Sequence, residues 1–400
     1  MSERQRASEE FGVYVHVPFC VARCDYCDFA TWTDRFHLVD EYVDACVADL
    51  RRRELPPATS VFVGGGTPSL LPPASMARIL DAIEWQPGAE VTVECNPDSV
   101  DAAKLTGYAD AGVNRVSIGV QSMRMHVLAS LGRTHDPDNV ARAVDAVRAA
   151  GIERLNVDLI YGAPGERVDD WLTTLEAALA LAPTHVSAYA LTVEPGTPLG
   201  MAVAAGSRAG PDDDDQALKY ELADDRLTAA GYSWYEISNW AQPGEECRHN
   251  LLYWRGGEYA GIGCAAHGHT RDDSDGSTRR WWNVRTPERY VAAVSAGASC
   301  EAADELLDAR AAETERLVLA LRTSDGIKLD APFAEAPGMH ACLDELADAG
   351  LLTRTASPRA VLTRRGRLLA NEVGARVLAA AEADARPADA RPADAGPGTR

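Results

Sequence analysis

Lysine is scarce in this 400-residue chain. Only Lys104, Lys219 and Lys328 occur, so arginine supplies nearly all of the 39 basic residues, against 60 acidic ones. The formal net charge of −21 repels phosphate backbones and anionic lipid, which argues against nucleic acid and leaves at most peripheral membrane contact. No apolar run approaches the ~18 residues that a membrane-spanning helix needs. Met1 to Glu10 are polar and charged and lack the apolar core of a secretory signal, so a cytosolic location is expected. Cysteine is too sparse for a disulfide framework. The nine are odd in number and three crowd between positions 20 and 27, a pattern of metal binding in a reducing compartment.

What is present is a soluble, globular composition, 46% hydrophobic and 25% charged, in a chain long enough for one barrel-sized domain and a smaller one. From Val13 onward short β-branched runs alternate with amphipathic segments. Strands are expected at Val13 to Val17, Ser60 to Val63, Glu90 to Glu94, Arg115 to Gly119, Leu155 to Leu159 and His185 to Leu191. Helices are expected at Val39 to Arg53, Ser75 to Trp85, Asn139 to Ala150 and Val168 to Leu181. Six strand-helix units predict an α/β fold, an incomplete (β/α)6 TIM-like barrel. Pro211 to Asp215 reads as an acidic helix start, Tyr232 to Trp240 as a further strand, and the Gly-rich stretch Gly256 to Thr270 as a folded-over loop.

Further on, Glu313 to Leu321, His340 to Ala349 and Arg364 to Val377 read as helices, with a hairpin from Leu351 to Thr363. The organisation is therefore a flexible N-terminus over 1–10, a barrel over 11–205, its completion over 206–298, a helical, winged-helix-like domain over 299–378 and a disordered tail over 379–400. The tail repeats Arg-Pro-Ala-Asp-Ala, which cannot bury enough surface to order itself. The acidic total gives the small domain a packing or protein-contact role in place of DNA binding.

The sharpest signal follows the first strand. Cys20, Cys24 and Cys27 stand at three- and two-residue spacings, so one loop can wrap a cubane. A [4Fe-4S] cluster usually takes four thiolates; three leave one iron open to a small molecule. The competing zinc reading needs a second close-spaced pair or histidines at finger spacing. Cys247 and Cys264 are far apart, and His249 is not so placed. Polar groups also recur just where barrel sites form, at the C-terminal ends of strands. They are Gly64-Gly65-Gly66-Thr67 after the second, Glu94 at the third, Gln121 at the fourth and Asp158 on the fifth. Singly, each reads more readily as a buried ion pair or turn cap; the cysteines tie them together.

The trio, with Tyr26 before its last cysteine, resembles the signature of radical S-adenosylmethionine enzymes. The resemblance runs from about Phe11 to Val377 and falls in the coproporphyrinogen dehydrogenase-like branch. It implies a radical-type barrel whose open iron takes S-adenosylmethionine, held by Glu94, Gln121, Arg133 and Asp158. Gly65, Gly66 and Thr67 lie against the ligand, and Tyr14 and Tyr26 flank the cluster loop. Two classes compete within the branch: an oxygen-independent coproporphyrinogen III dehydrogenase, which decarboxylates propionates in heme synthesis, and a heme chaperone, which binds heme and hands it to apo-hemoproteins.

Three features resemble the chaperone. Cys27 is followed by Asp28-Phe29, where the dehydrogenase has a further cysteine. Only about a dozen residues precede the first strand. His249-Asn250-Leu251-Leu252-Tyr253-Trp254 matches an HNxxYW motif associated with heme, so His249 becomes a candidate heme contact; packing of a core histidine and aromatics is the plainer alternative. Gly261 to His269 resembles a loop lining the open side of the barrel, where His267 and His269 can meet heme or substrate. The exposed mouth also allows a homodimer. The remaining six cysteines read as buried apolar residues.

Overall fold

The computed structural model describes residues 10–329, 337–356 and 358–383. The expected flexible residues 1–9 and the tail from 384 onward lie outside the described residues. Two compact units divide at Ala312/Glu313.

The first unit is built on one sheet. Six strands, β1 (Phe11–Val17), β2 (Ala58–Gly65), β3 (Trp85–Cys95), β4 (Arg115–Gln121), β5 (Arg154–Tyr161) and β6 (His185–Ala190), lie side by side and parallel. Helices including Val39–Arg52, Pro73–Leu80, Ala102–Asp110, Pro137–Ala149, Val168–Ala180 and Asp213–Ala229 return the chain between or after them. Strand alternation sorts the side chains. Val13, Val15, Val61, Val63, Val91, Val93, Val116 and Val157 are buried apolar, while Tyr14, His16, Ser60, Glu94, Ser117 and Asp158 alternate with them and form the polar wall where the site lies.

Beyond β6 the sheet continues into a small hairpin, β7 (Ser233–Glu236) and β8 (Asn239–Ala241), with β8 antiparallel to β6. On the other flank, β9 (Glu258–Ile262) joins parallel to β1, and the antiparallel ribbon β10 (His267–Arg271), β11 (Thr278–Asn283) and β12 (Glu301–Leu307) follows. The twelve strands run β12-β11-β10-β9-β1-β2-β3-β4-β5-β6-β8-β7, so the ends do not pair and the barrel stays open.

Several expectations change. Gly256 to Thr270 is not a folded-over loop: its glycines allow two strands to press together, since a Cβ at Gly261 would run into the backbone of His267. The expected helix Ser75 to Trp85 is shorter, starting on Pro73 and ending at Leu80, and Trp85 opens β3. The boundary expected at 298 moves to 312 because β12 pairs with β11. In the second unit the helix expected over Arg364 to Val377 is interrupted between Arg364–Leu368 and Ala370–Ala383, the latter running past the expected tail start at 379. That unit packs helices against a three-stranded sheet of Ile327–Lys328, Arg359–Leu362 and Leu352–Arg354, around Leu343, Leu346, Leu352, Val373 and Val377. Among the described residues no helix is long and apolar enough to cross a membrane.

Candidate functional site

Directly after β1 the chain leaves the sheet and is tied down on several sides. Cys20 N–H donates to Trp32 O (3.1 Å), Cys27 N–H to Cys24 O (3.2 Å), Asp25 N–H to Leu131 O (3.0 Å) and Leu199 N–H to Asp25 O (2.8 Å). The strand-two glycines close the inner edge. Gly66 and Thr67 N–H groups donate to the carbonyls of Val17 and Phe19 (2.8 Å each), and a Cβ at Gly66 would stand 2.8 Å from both oxygens. Only a residue without a side chain permits that approach.

All three thiols of Cys20, Cys24 and Cys27 are free and partly accessible. Burial raises the pKa of Cys20, with the Thr67 hydroxyl (3.5 Å) opposing it, and pushes Cys27 up to about 11. Repulsion among the three adds to this. Thiolates persist in such a place only against a strong cationic partner, as cluster iron provides. Among the described residues no three histidine, cysteine or carboxylate groups converge closely enough to grip one metal ion. A cubane spreads its thiolates over separate irons, so this trio fits a cluster better than zinc.

Around the thiols the strand ends bring charge together. Arg133 Nη1 points at Cys24 Sγ (3.8 Å), while Nη2 donates to Gly119 O (2.6 Å) and Nε to His135 Nδ1 (3.3 Å). Glu94 accepts from Gly65 N–H (3.0 Å); burial, then repulsion from Asp158, raises its pKa to about 7. Asp158 accepts from Ser117 Oγ (2.6 Å) and Asn156 Nδ2 (2.8 Å), and burial raises its pKa although those bonds oppose it. Gln121 is buried with φ 60°, at the register shift between β4 and β5; a left-handed non-glycine residue at a bulge marks a re-aimed side chain. Tyr14 shares a hydrogen bond with His16 Nδ1 (3.1 Å), and burial raises its pKa, as it does that of Tyr26 beside Arg133 and Cys24.

Thus Tyr14, Tyr26, Gly65, Gly66, Thr67, Glu94, Gln121, Arg133 and Asp158 gather with the three cysteines at one end of the parallel strands. His249 does not. It sits in the short helix Arg248–Trp254, near the opposite ends of β1 and β2, and is 1% exposed. Both ring nitrogens are taken, Nδ1 by Ser60 Oγ (2.9 Å) and Nε2 by Tyr253 OH (2.8 Å), and its ring stacks on Phe62. The plainer alternative, a satisfied core histidine, describes this geometry; ligation of iron by His249 would require the ring to give up one of these two bonds. Glu90 anchors the helix by accepting from His249 N–H (3.2 Å). Five of the other six cysteines are buried, and Cys342 is partly so.

Sequence reasoning passed over Asn156, Ser117 and Ser187. Asn156 Nδ2 reaches Ser117 Oγ (2.6 Å) and Ser187 Oγ (3.0 Å) as well as Asp158, and its Oδ1 pairs with His185 Nδ1 (2.6 Å). The available signal was polar residues at every second position of otherwise apolar strands.

An open barrel of parallel strands with a three-thiol loop at its mouth defines the class of cluster-bearing barrel proteins. The family description "Radical SAM superfamily" matches residues 14–178. Over its described architecture the chain is similar to the structure of coproporphyrinogen III oxidase (HemN) from Escherichia coli, a radical SAM enzyme, with a TM-score of 0.77, 20% identity and 94% and 93% of the two chains covered. It is 44% identical over 378 residues to the heme chaperone HemW of Mycobacterium tuberculosis strain H37Rv (91% of this chain, 94% of the relative). The heme chaperone HemW of Escherichia coli is 40% identical over 291 residues (70% and 75%), and that of Bacillus subtilis 33% over 376 (90% and 97%). The chain belongs to the HemW family and carries a radical SAM domain.

Proposed function

We propose that this chain is a cytoplasmic heme chaperone that binds heme, carries a [4Fe-4S] cluster with S-adenosylmethionine at its barrel mouth, and passes heme to apo-hemoproteins. The observation that carries the reading is 44% identity, across nine-tenths of the chain, to a protein named for that role.

Cys20, Cys24 and Cys27 would hold the cluster, and a three-thiol loop would leave the nucleotide a place beside it. When bound, cluster and nucleotide supply one-electron chemistry at that iron. The chain's own residues position and screen. Arg133 sets a fixed positive charge beside the Cys24 sulfur. Glu94 and Asp158, two neighbouring carboxyls that burial makes reluctant to ionise, favour a cationic ligand, because an ammonium or sulfonium relieves their repulsion. Gly65 and Gly66 bring backbone close, Thr67 donates toward Cys20, Gln121 presents its amide from the bulge, and Tyr14 and Tyr26 wall the loop.

The test is anaerobic: reconstitute the cluster, then offer hemin and coproporphyrinogen III in separate reactions. The expected result is stoichiometric heme binding, transfer to apomyoglobin seen as its absorption spectrum, and no decarboxylation. Formation of protoporphyrinogen overturns the reading in favour of the dehydrogenase. Failure of the absorption of the reconstituted cluster to respond to S-adenosylmethionine removes the proposed nucleotide site.

A further inference from the structure

Of the aromatic side chains among the described residues, three are exposed: Phe29, Phe36 and Tyr189. Phe29 lies in the cysteine loop and Phe36 in the turn before the helix Val39–Arg52. Tyr189 alone stands on a strand of the barrel, near the end of β6. The first four residues of that strand are buried, yet Tyr189 is 40% exposed.

The register of the sheet fixes where this ring lies. Ser187 pairs with Asp158 and Tyr189 with Ile160, and side chains two apart on a strand share a face. Ser187 meets Asn156, the amide that also holds Asp158, so that face carries the polar wall. Tyr189 therefore stands one step nearer the mouth than Asp158. On one side of it, Ile160 packs with Val127, Leu131 and Leu199, against which Tyr26 of the cysteine loop also lies. On the other side are carboxyls. Burial and then repulsion by Asp158 raise the pKa of Tyr189, a hydrogen bond with Ser187 opposes, and Glu236 and Glu94 add to the rise. The phenol thus stays neutral, its hydroxyl desolvated near three acidic side chains while the residue remains accessible from the mouth.

We propose that Tyr189 determines specificity at the barrel mouth: its ring face receives the positively charged sulfonium of the nucleotide and, with Glu94 and Asp158, selects that cation over a neutral thioether. The inference rests on the S-adenosylmethionine reading above. An aromatic face is the negative end of the ring quadrupole and attracts a cation most strongly where water is excluded. Neighbouring carboxyls deepen the same potential. An aliphatic side chain fills the space without attracting charge, whereas phenylalanine keeps the attraction, so the parts played by ring and hydroxyl are separable.

Anaerobic titration calorimetry of the reconstituted full-length protein tests this with S-adenosylmethionine and S-adenosylhomocysteine, which differ only in the methyl on sulfur and its positive charge. Wild type binds the sulfonium more tightly; equal affinity for the two ligands overturns the inference before any variant is made. In Tyr189→Leu the preference shrinks by about tenfold, through weaker binding of S-adenosylmethionine with the affinity for the thioether unchanged. Tyr189→Phe keeps the wild-type ratio. A merely structural role would weaken both ligands together. An unchanged ratio in Tyr189→Leu, equal loss of both ligands, or a Tyr189→Phe that behaves as Tyr189→Leu overturns the assignment, with iron and labile sulfide assayed to confirm that each variant carries its cluster. If wild type binds neither ligand, the nucleotide reading itself falls; if it binds both and their ratio ignores Tyr189, only this inference does.

Discussion

At the scale of single residues, the buried polar groups decide how this protein responds to its surroundings. Burial lowers the pKa of His249 to about 3 from an ordinary 6.5. The unfolded chain therefore binds a proton below 6.5 that the folded chain refuses, and stability falls as pH drops from 6.5 toward 3. At pH 5.5 the loss from this one group is on the order of 1 kcal/mol. Urea unfolding of wild type and His249→Gln at pH 7.5 and 5.5 measures it: the two proteins should differ less at pH 5.5, and an unchanged difference refutes the assignment. Asn156 is the other residue-scale test. Its amide joins Ser117, Asp158, Ser187 and His185, so Asn156→Ala leaves buried partners unsatisfied at a cost of about 1–3 kcal/mol. Because Asp158 loses a partner, nucleotide affinity should fall as well; the response of the reconstituted cluster's resonance to S-adenosylmethionine reads that separately from the urea midpoint.

Among the elements, the glycine run after β2 is the most constrained. Gly66→Ala places a methyl against the Val17 and Phe19 carbonyls, and displacing that backbone costs about 1–3 kcal/mol. Those carbonyls begin the cysteine loop, so the expected outcome is a chain that still folds but retains less iron and labile sulfide after reconstitution; full retention would show that the loop does not depend on this contact. The elements also show where sequence was legible. Each expected parallel strand lies within an observed one apart from the final residue of the sixth, because apolar residues facing the helices repeat every second position and leave a strong signal. The ribbon β10–β12 was not legible. Its strand β12, Glu301–Leu307, is largely exposed and acidic, so it carries no burial pattern, and Arg279 and Arg280 supply long-range partners for its carboxylates.

For the whole molecule, two compact units imply separable stability. The cysteine loop and the strand ends around it belong to the first unit, and the second has its own apolar core. Calorimetry of the reconstituted full-length chain should show two transitions, and S-adenosylmethionine at a hundredfold excess over its dissociation constant should stabilise only the one assigned to the barrel, by about 2.7 kcal/mol. Removal of iron by a chelator should lower that same transition. Equal movement of both transitions would mean that the units unfold as one.

The sequence by itself determined the thiol trio, the parallel barrel and the polar strand ends, since cysteine spacing and two-residue periodicity are local properties of the chain. Tertiary structure alone decided which histidine is reachable. His249 sits in a conspicuous motif yet has both nitrogens bonded to protein, whereas His267 stands exposed beside Trp282. Burial and hydrogen bonding are set by residues distant along the chain, Ser60 against His249 and β11 against β10, so no local pattern can report them.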